Sequence, residues 1–414
     1  MLEIKLKIVS RGDSPGQKNC LLVPQTGKLK IALAPMAGIT DSAFRLMNVL
    51  GGEDLTYSEM VHVNAISYKS KKTFEMLKAS PFEFPYVVQL FGNDPDYFAR
   101  ATRIISEKGI PVMEYKVFSK KQREFIENLY KQFEYYHSQN LNVECRMSNG
   151  MTSIKNETQE KPFNVAFGKF YSRFQKFQKE LEKKTPPILK PSGLDINLGC
   201  PAKKVFGHGS GARLFSDISK MKKIVEAVVS NTSLPVSVKL RTSVKDVSVF
   251  SVLDELLKFP LKRVMVHGRS YEQGFAGEAD HEELKKVVKK YPEVEVYVNG
   301  GIVDQKSAFT MVEKTGCYNL GIARGSLGNP LLGGMIKSGE QNDFSEKTKI
   351  AIFGVLAYIH CILNQQSKGK KGLFEIRKHL AWYFKGFEGA SEIRSRLVQI
   401  ESVEELERII DAIY

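Results

Sequence analysis

Leu194-Asp195-Ile196-Asn197-Leu198-Gly199-Cys200-Pro201 is the stretch whose reading decides the fold. Leu194 to Leu198 reads as a short strand, and Gly199 and Pro201 mark a tight turn at its end that projects the Cys200 thiol. Working outward, similar short apolar, often β-branched runs occur at Lys30 to Ala34, Asp54 to Ser58, Tyr86 to Leu90, Val236 to Leu240, Arg263 to Val266, Val294 to Val298 and Tyr318 to Ile322. Amphipathic helical stretches separate them. Eight strands in that rhythm predict an α/β fold, a closed (β/α)8 TIM barrel with a parallel sheet.

Chemistry-bearing residues gather just after these strands: Pro35-Met36-Ala37-Gly38, Gln89, Asn197 with Cys200, Lys239 with Arg241, His267, Asn299-Gly300-Gly301, and Arg324-Gly325. In a β/α barrel the C-terminal strand ends form the active-site face, so these residues should converge. An open doubly wound sheet would not gather them all, and no Gly-x-Gly-x-x-Gly follows an early strand. The glycines after strands seven and eight fit a phosphate, because backbone N–H groups face the anion and Arg324 adds a charge. Lys239 ends a strand where an apolar residue would be usual, so it needs an anionic partner; the electron-rich edge of a reduced flavin is one. His267, beside Lys239 and Gln89, reads as part of the same pocket. Cys200 is either a small buried hydrophobe or an acid, since an unperturbed thiol near 8.5 keeps its proton at neutral pH.

The 414-residue chain is 42% hydrophobic and 26% charged, the composition of a folded soluble protein. No apolar run reaches the roughly 18 residues of a membrane span and the N-terminus lacks a secretory pattern, so a cytoplasmic protein with no membrane partner is expected. Sixty-one Lys and Arg against 46 Asp and Glu leave a charge of +15, which attracts a polyanion such as nucleic acid. Five scattered cysteines have neither zinc-ligand nor redox spacing, so no metal is expected.

Four segments are expected: an N-terminal extension (1–28), the barrel (29–111 and 191–335), an inserted basic helical hairpin (112–190) and an all-helical C-terminal domain (336–414). The insertion carries Phe163, Phe167, Phe170, Phe174, Phe177 and Leu181 at heptad-like spacing, matched by Ile126, Leu129, Phe133 and Tyr136, and its stripe reads as core between two helices. Ser148 to Glu160 reads as the joining loop. The hairpin attaches at the barrel's N-terminal face, opposite the chemistry. The C-terminal helices, expected at Phe344 to Asn364, Leu373 to Phe384, Ala390 to Leu397 and Val403 to Tyr414, include a basic surface with Arg377 and Lys378 suited to phosphate contacts.

Taken together, Leu33 to Asp41 (LAPMAGITD), Val88-Gln89-Leu90-Phe91-Gly92, Asp195 to Pro201, His267-Gly268-Arg269-Ser270, Asn299-Gly300 and Gly328-Asn329-Pro330 resemble the tRNA-dihydrouridine synthase family. The resemblance covers most of the chain outside the insertion and the first 28 residues. It implies an FMN-containing barrel followed by a helical domain, with NADPH as reductant and transfer RNA as substrate. On that pattern Pro35, Met36, Ala37, Gln89, Lys239 and His267 surround the flavin, and Asn299, Gly300, Gly301, Ala323 and Arg324 hold its phosphate. Cys200 protonates C5 of a uracil whose C6 receives a hydride. Asn197, Arg241, Arg269, Arg377 and Lys378 would meet the RNA. The family usually has Asp where this chain has Gly301 and Gly where it has Ala323. A monomer is expected. The readings left beside it are action on ribosomal RNA, another flavin barrel reducing a small molecule, and a non-catalytic RNA-binding protein.

Overall fold

Eight parallel strands close into a barrel in the computed structural model, which describes residues 6–9, 21–24, 29–147, 164–183, 185–339 and 345–413. They are β1 (Lys30–Leu33), β2 (Leu55–Tyr57), β3 (Tyr86–Phe91), β4 (Gly193–Asn197), β5 (Val236–Arg241), β6 (Leu261–His267), β7 (Glu295–Asn299) and β8 (Asn319–Ile322). Each lies within two residues of the run expected from sequence. Pairing of Thr56 with Tyr86 joins β2 to β3 and shuts the ring.

Register and the two-residue period of a strand sort the side chains. Asp195, Ser237, Arg263 and Glu295 share one row. Asn197, Lys239, Met265 and Tyr297 share the next, and Arg241, His267, Asn299 and Gly321 the third. These odd-numbered positions turn inward. Met265 and Tyr297 pack there with Ala32, Tyr57 and Val87. The intervening Val238, Leu240, Val264, Val266, Val296 and Val298 face outward into the larger core under the helices. The floor of the barrel is closed by Arg263, whose Nε donates to Glu295 Oε2 at 3.0 Å. Polar side chains therefore occupy both the floor row and the C-terminal rim, where the third row ends.

The barrel helices open on acceptors for their unpaired N–H groups. Asp41, Asp94, Asp217, Asp280 and Asp304 accept backbone bonds at the starts of Ser42–Gly51, Pro95–Lys108, Ile218–Val229, His281–Lys290 and Gln305–Thr315. After the second of these, Ile110–Pro111 pairs antiparallel with Ile188–Leu189, so the chain departs and returns as a two-stranded ribbon just before β4.

The described chain divides into two units, the barrel with the helix Leu332–Ser338, and a helical unit built from 114–184, 327–331 and 340–414. The helical unit contains α1 (Lys120–Met147), α2 (Asn164–Glu180), α3 (Glu346–Lys368), α4 (Lys370–Tyr383), α5 (Ala390–Leu397) and α6 (Val403–Asp411). Phe167, Phe170, Phe174 and Phe177 are buried, as are Ile126, Leu129 and Phe133 across from them. The rings of Phe133 and Phe167 meet edge to face at 4.8 Å.

The sequence reading separates the hairpin from the C-terminal helices; the structure joins them. Phe125 of α1 meets Tyr358 of α3 at 4.6 Å, and Lys121 reaches Glu407 of α6 at 2.8 Å. A hairpin has two sides, and the second apolar side of α1 needs cover that α2 does not give. Phe163 and the loop at Ser148 to Glu160 lie outside the described residues. Among the described residues one helix, α3, is long and apolar enough to cross a membrane, and 78% of its apolar window is buried.

Candidate active site

A cavity of about 1110 Å³ opens at the C-terminal rim of the barrel. The barrel residues assigned to the flavin and substrate from the sequence line it: Pro35, Met36, Ala37, Gln89, Asn197, Cys200, Lys239, Arg241, His267, Arg269, Asn299, Gly300, Gly301, Ala323 and Arg324, whereas Gly38 does not. Arg377 and Lys378 belong to the helical unit instead. Arg377 is engaged within it, donating from Nε and Nη2 to Ile400 O at 2.9 and 2.7 Å, while Lys378 is exposed.

One wall is a continuous chain of hydrogen bonds. Asp195 is fully buried and accepts from Ser237 Oγ at 2.6 Å and from Gln89 Nε2 at 2.7 Å. Gln89 Oε1 in turn accepts from Asn197 Nδ2 at 2.9 Å. Asn197 Oδ1 then accepts from the backbone N–H groups of Gly199 and Cys200 at 3.1 and 2.9 Å, an Asx turn that bends the chain and fixes Cys200. Asn197 therefore spends its carboxamide on positioning Cys200. Burial pushes the Asp195 carboxyl up to about 6.

Burial also raises the Cys200 thiol above its ordinary value, outweighing a backbone hydrogen bond and the nearby charges of Lys239 and Arg241. The thiol keeps its proton at neutral pH. Burial, reinforced by Arg241, brings the Lys239 ammonium down to about 8. Lys239 lines the cavity, and among the described residues nothing accepts a hydrogen bond from its Nζ.

The cations around His267 are deployed differently. Arg241 is buried, with Nε donating to Gly199 O at 2.9 Å and Nη1 to Ser270 O and Gly274 O at 2.7 and 2.9 Å. Arg269 donates from Nη2 to Gly277 O at 2.6 Å and from Nη1 to His267 Nε2 at 3.2 Å. Both arginines thus brace the 270–277 loop. A guanidinium only donates, so His267 Nε2 is the acceptor and the neutral ring carries its proton on Nδ1. Burial and the surrounding cations hold His267 at about 2, neutral throughout the working range.

The opposite wall is made of backbone. Asn299 is spent within the barrel, its Nδ2 donating to Gly321 O at 2.7 Å. Gly301 has φ 75° and nothing within 4 Å of where a Cβ would stand, while a Cβ on Gly325 would fall 2.2 Å from Ile302 O. Positive φ and close approach both require glycine. Among the described residues no acceptor is paired with the N–H of Gly300 or Gly301. Arg324 stands over the exposed ring of Phe275 at 4.5 Å.

Sequence reasoning missed four contributors. Ser237 and Asp195 act behind Gln89, and only the strand register reveals that. Met60 lies 3.5 Å from Asn197 Nδ2, and Phe275 shares the rim with Arg324. Among the described residues no group of three His, Cys, Asp or Glu is placed to hold a metal.

Comparison with known proteins adds to this geometry. The family model described as dihydrouridine synthase matches residues 32–112 and 151–413. A probable tRNA-dihydrouridine synthase 1 of Synechocystis sp. is 35% identical over 224 residues, 53% of this chain and 62% of that protein. The tRNA-dihydrouridine synthase B of Pasteurella multocida is 26% identical over 370 residues, 87% of this chain and 85% of that protein. A probable tRNA-dihydrouridine synthase of Mycobacterium tuberculosis strain H37Rv is 26% identical over 398 residues, 92% and 81% of the two chains.

Proposed function

The chain belongs to the dihydrouridine synthase family, and from that premise we propose that it reduces the C5–C6 double bond of uridines in transfer RNA, with FMN in the barrel mouth and NADPH as reductant. The observation that carries the reading is Cys200, a protonated thiol held at the cavity by the Asn197 turn within a chain of buried hydrogen bonds.

The residues present fit an FMN. The Gly300-Gly301 N–H groups and the space beside Gly301 make an anion cradle, and Arg324 lines the same cavity. Lys239 offers an ammonium from which, among the described residues, nothing accepts a hydrogen bond. Pro35, Met36, Ala37, Gln89 and His267 supply the remaining surface, and neutral His267 adds no further positive charge. Bound FMN would supply the hydride that C6 of the uracil receives.

Cys200 then does the chain's own chemistry. Its Sγ–H proton goes to C5, forming the C–H bond that completes saturation of the ring. Lys239 and Arg241 lower the cost of the thiolate left behind. Cys200 is only partly buried, so solvent can restore the proton. Arg241 and Arg269 act on the RNA through the 270–277 loop they hold.

Purified protein should show the absorption of a bound flavin. With NADPH and an unmodified transfer RNA transcript it should produce dihydrouridine, read by mass spectrometry as a gain of two hydrogens. Preparations that cannot be loaded with flavin, or loaded protein that leaves the transcript unreduced, would sink the proposal.

A further inference from the structure

The two helices of the inserted hairpin present opposite kinds of surface to solvent. On α1 the described cations are answered within the unit. Lys120 pairs with Glu124 at 3.8 Å, Lys131 with Glu127 at 3.3 Å and Lys121 with Glu407 at 2.8 Å, and Arg123 donates to Phe118 O at 2.8 Å. On α2, Lys169, Arg173, Lys176 and Lys179 are all exposed. Among the described residues Lys169, Lys176 and Lys179 form no ion pair. The acid that follows them on α2, Glu180, is bonded to Lys183 at 2.7 Å.

Spacings of four, three and three residues keep these four cations within an arc of ~120° and along ~15 Å of helix. Phe167, Phe170, Phe174 and Phe177 anchor the opposite face in the core, so the orientation of the stripe is set by burial. The helix α1 against which those rings pack falls in 113–150, the internal stretch that the family model leaves unmatched.

We infer that the α2 stripe, on a helix that lies within the matched 151–413 and packs on the unmatched α1, is an additional contact for the phosphate backbone of the RNA substrate. This rests on the proposed function. Charge selects a polyanion, and the absence of apolar residues selects among polyanions. Among the described residues, none of the exposed large hydrophobics lies on α2. A protein interface needs an apolar centre and a surface-bound helix needs an apolar face, whereas phosphate contacts need neither.

The test uses the full flavin-loaded chain and an unmodified transfer RNA transcript. One variant carries Lys169→Gln, Arg173→Gln, Lys176→Gln and Lys179→Gln. A control carries Lys120→Gln, Lys121→Gln, Arg123→Gln and Lys131→Gln, the same loss of charge from α1. Dissociation constants are measured across 50 to 200 mM salt, with flavin absorption and thermal unfolding checking the fold. Losing the α2 contacts should make the log–log salt dependence shallower by about 2 to 3 and weaken binding at least ~10-fold near 100 mM salt, with a much smaller change in the control. Equal affinity in wild type and α2 variant overturns the inference, and so does equal weakening by the control, which would make net charge the cause. Stripe-dependent binding to phosphatidylserine vesicles with RNA affinity unchanged would overturn it too. If wild type itself binds no RNA, the proposed function fails first.

Discussion

The two walls of the barrel mouth are built on opposite plans. From β3 to β5 the wall is side chain, with Ser237, Asp195, Gln89, Asn197 and the Cys200 turn bonded in series. From β7 to β8 it is backbone, where among the described residues the N–H groups of Gly300 and Gly301 have no acceptor and the space beside Gly301 is open. The first wall is organised before any ligand arrives, as the proposed proton delivery to one ring atom demands. On the proposed function, the second gains its partners only when an anion enters.

The sharpest way to separate the walls is Cys200→Ala. It should lower turnover on RNA by about 10² to 10⁴, the usual range for a general acid, while flavin absorption stays that of wild type. Retained turnover would remove the acid from the first wall. Gly301→Val attacks the second. A β-branched residue at φ 75° costs about 1 to 3 kcal/mol and disturbs the N–H cradle, so flavin affinity should drop roughly 5- to 100-fold by fluorescence titration. A variant that binds flavin normally would show that the cradle is not the anion site.

Lys239 links the walls and gives the smallest effect. Its ammonium, near 8 before a ligand binds, is present below that pH and lost above it. An anionic partner raises the value on binding, so flavin affinity should fall as pH rises through 8, by close to tenfold at pH 9. Lys239→Met should bind more weakly at pH 7 and lose this limb. A wild-type affinity flat from pH 7 to 9 would show that the ammonium does not meet the ligand.

The barrel and most of its rim were legible because strand ends are punctuated locally. Val236 to Lys239 alternates and then places a cation where the core should continue, and Gly199 and Pro201 stop β4 beside Cys200. What escaped the reading depends on pairing between distant strands. Asp195 matters because register sets it beside both Gln89 and Ser237, and neither neighbour is near it in sequence. The arginines show the same limit. The sequence reading assigns Arg241 and Arg269 to the RNA, yet their donors go to carbonyls of 199 and 270–277, which only the folded loop brings within reach. The union of the hairpin with the C-terminal helices was equally hidden, since an amphipathic pattern shows that a face needs cover but not which helix gives it.

The ribbon of Ile110–Pro111 with Ile188–Leu189 bears on how such a chain assembles. Gln89 and Asp195 bond across adjacent strands although 106 residues separate them. Closing a loop grows costlier only with the logarithm of its length, about 0.6 kcal/mol per doubling, so the detour through 112–190 adds roughly 2 kcal/mol over a short turn. With its two ends zipped side by side, the excursion can fold after the strands around it have found their order. The ribbon is a port through which a barrel of this kind can acquire whole modules, in evolution or by design, without rewriting its strand sequence.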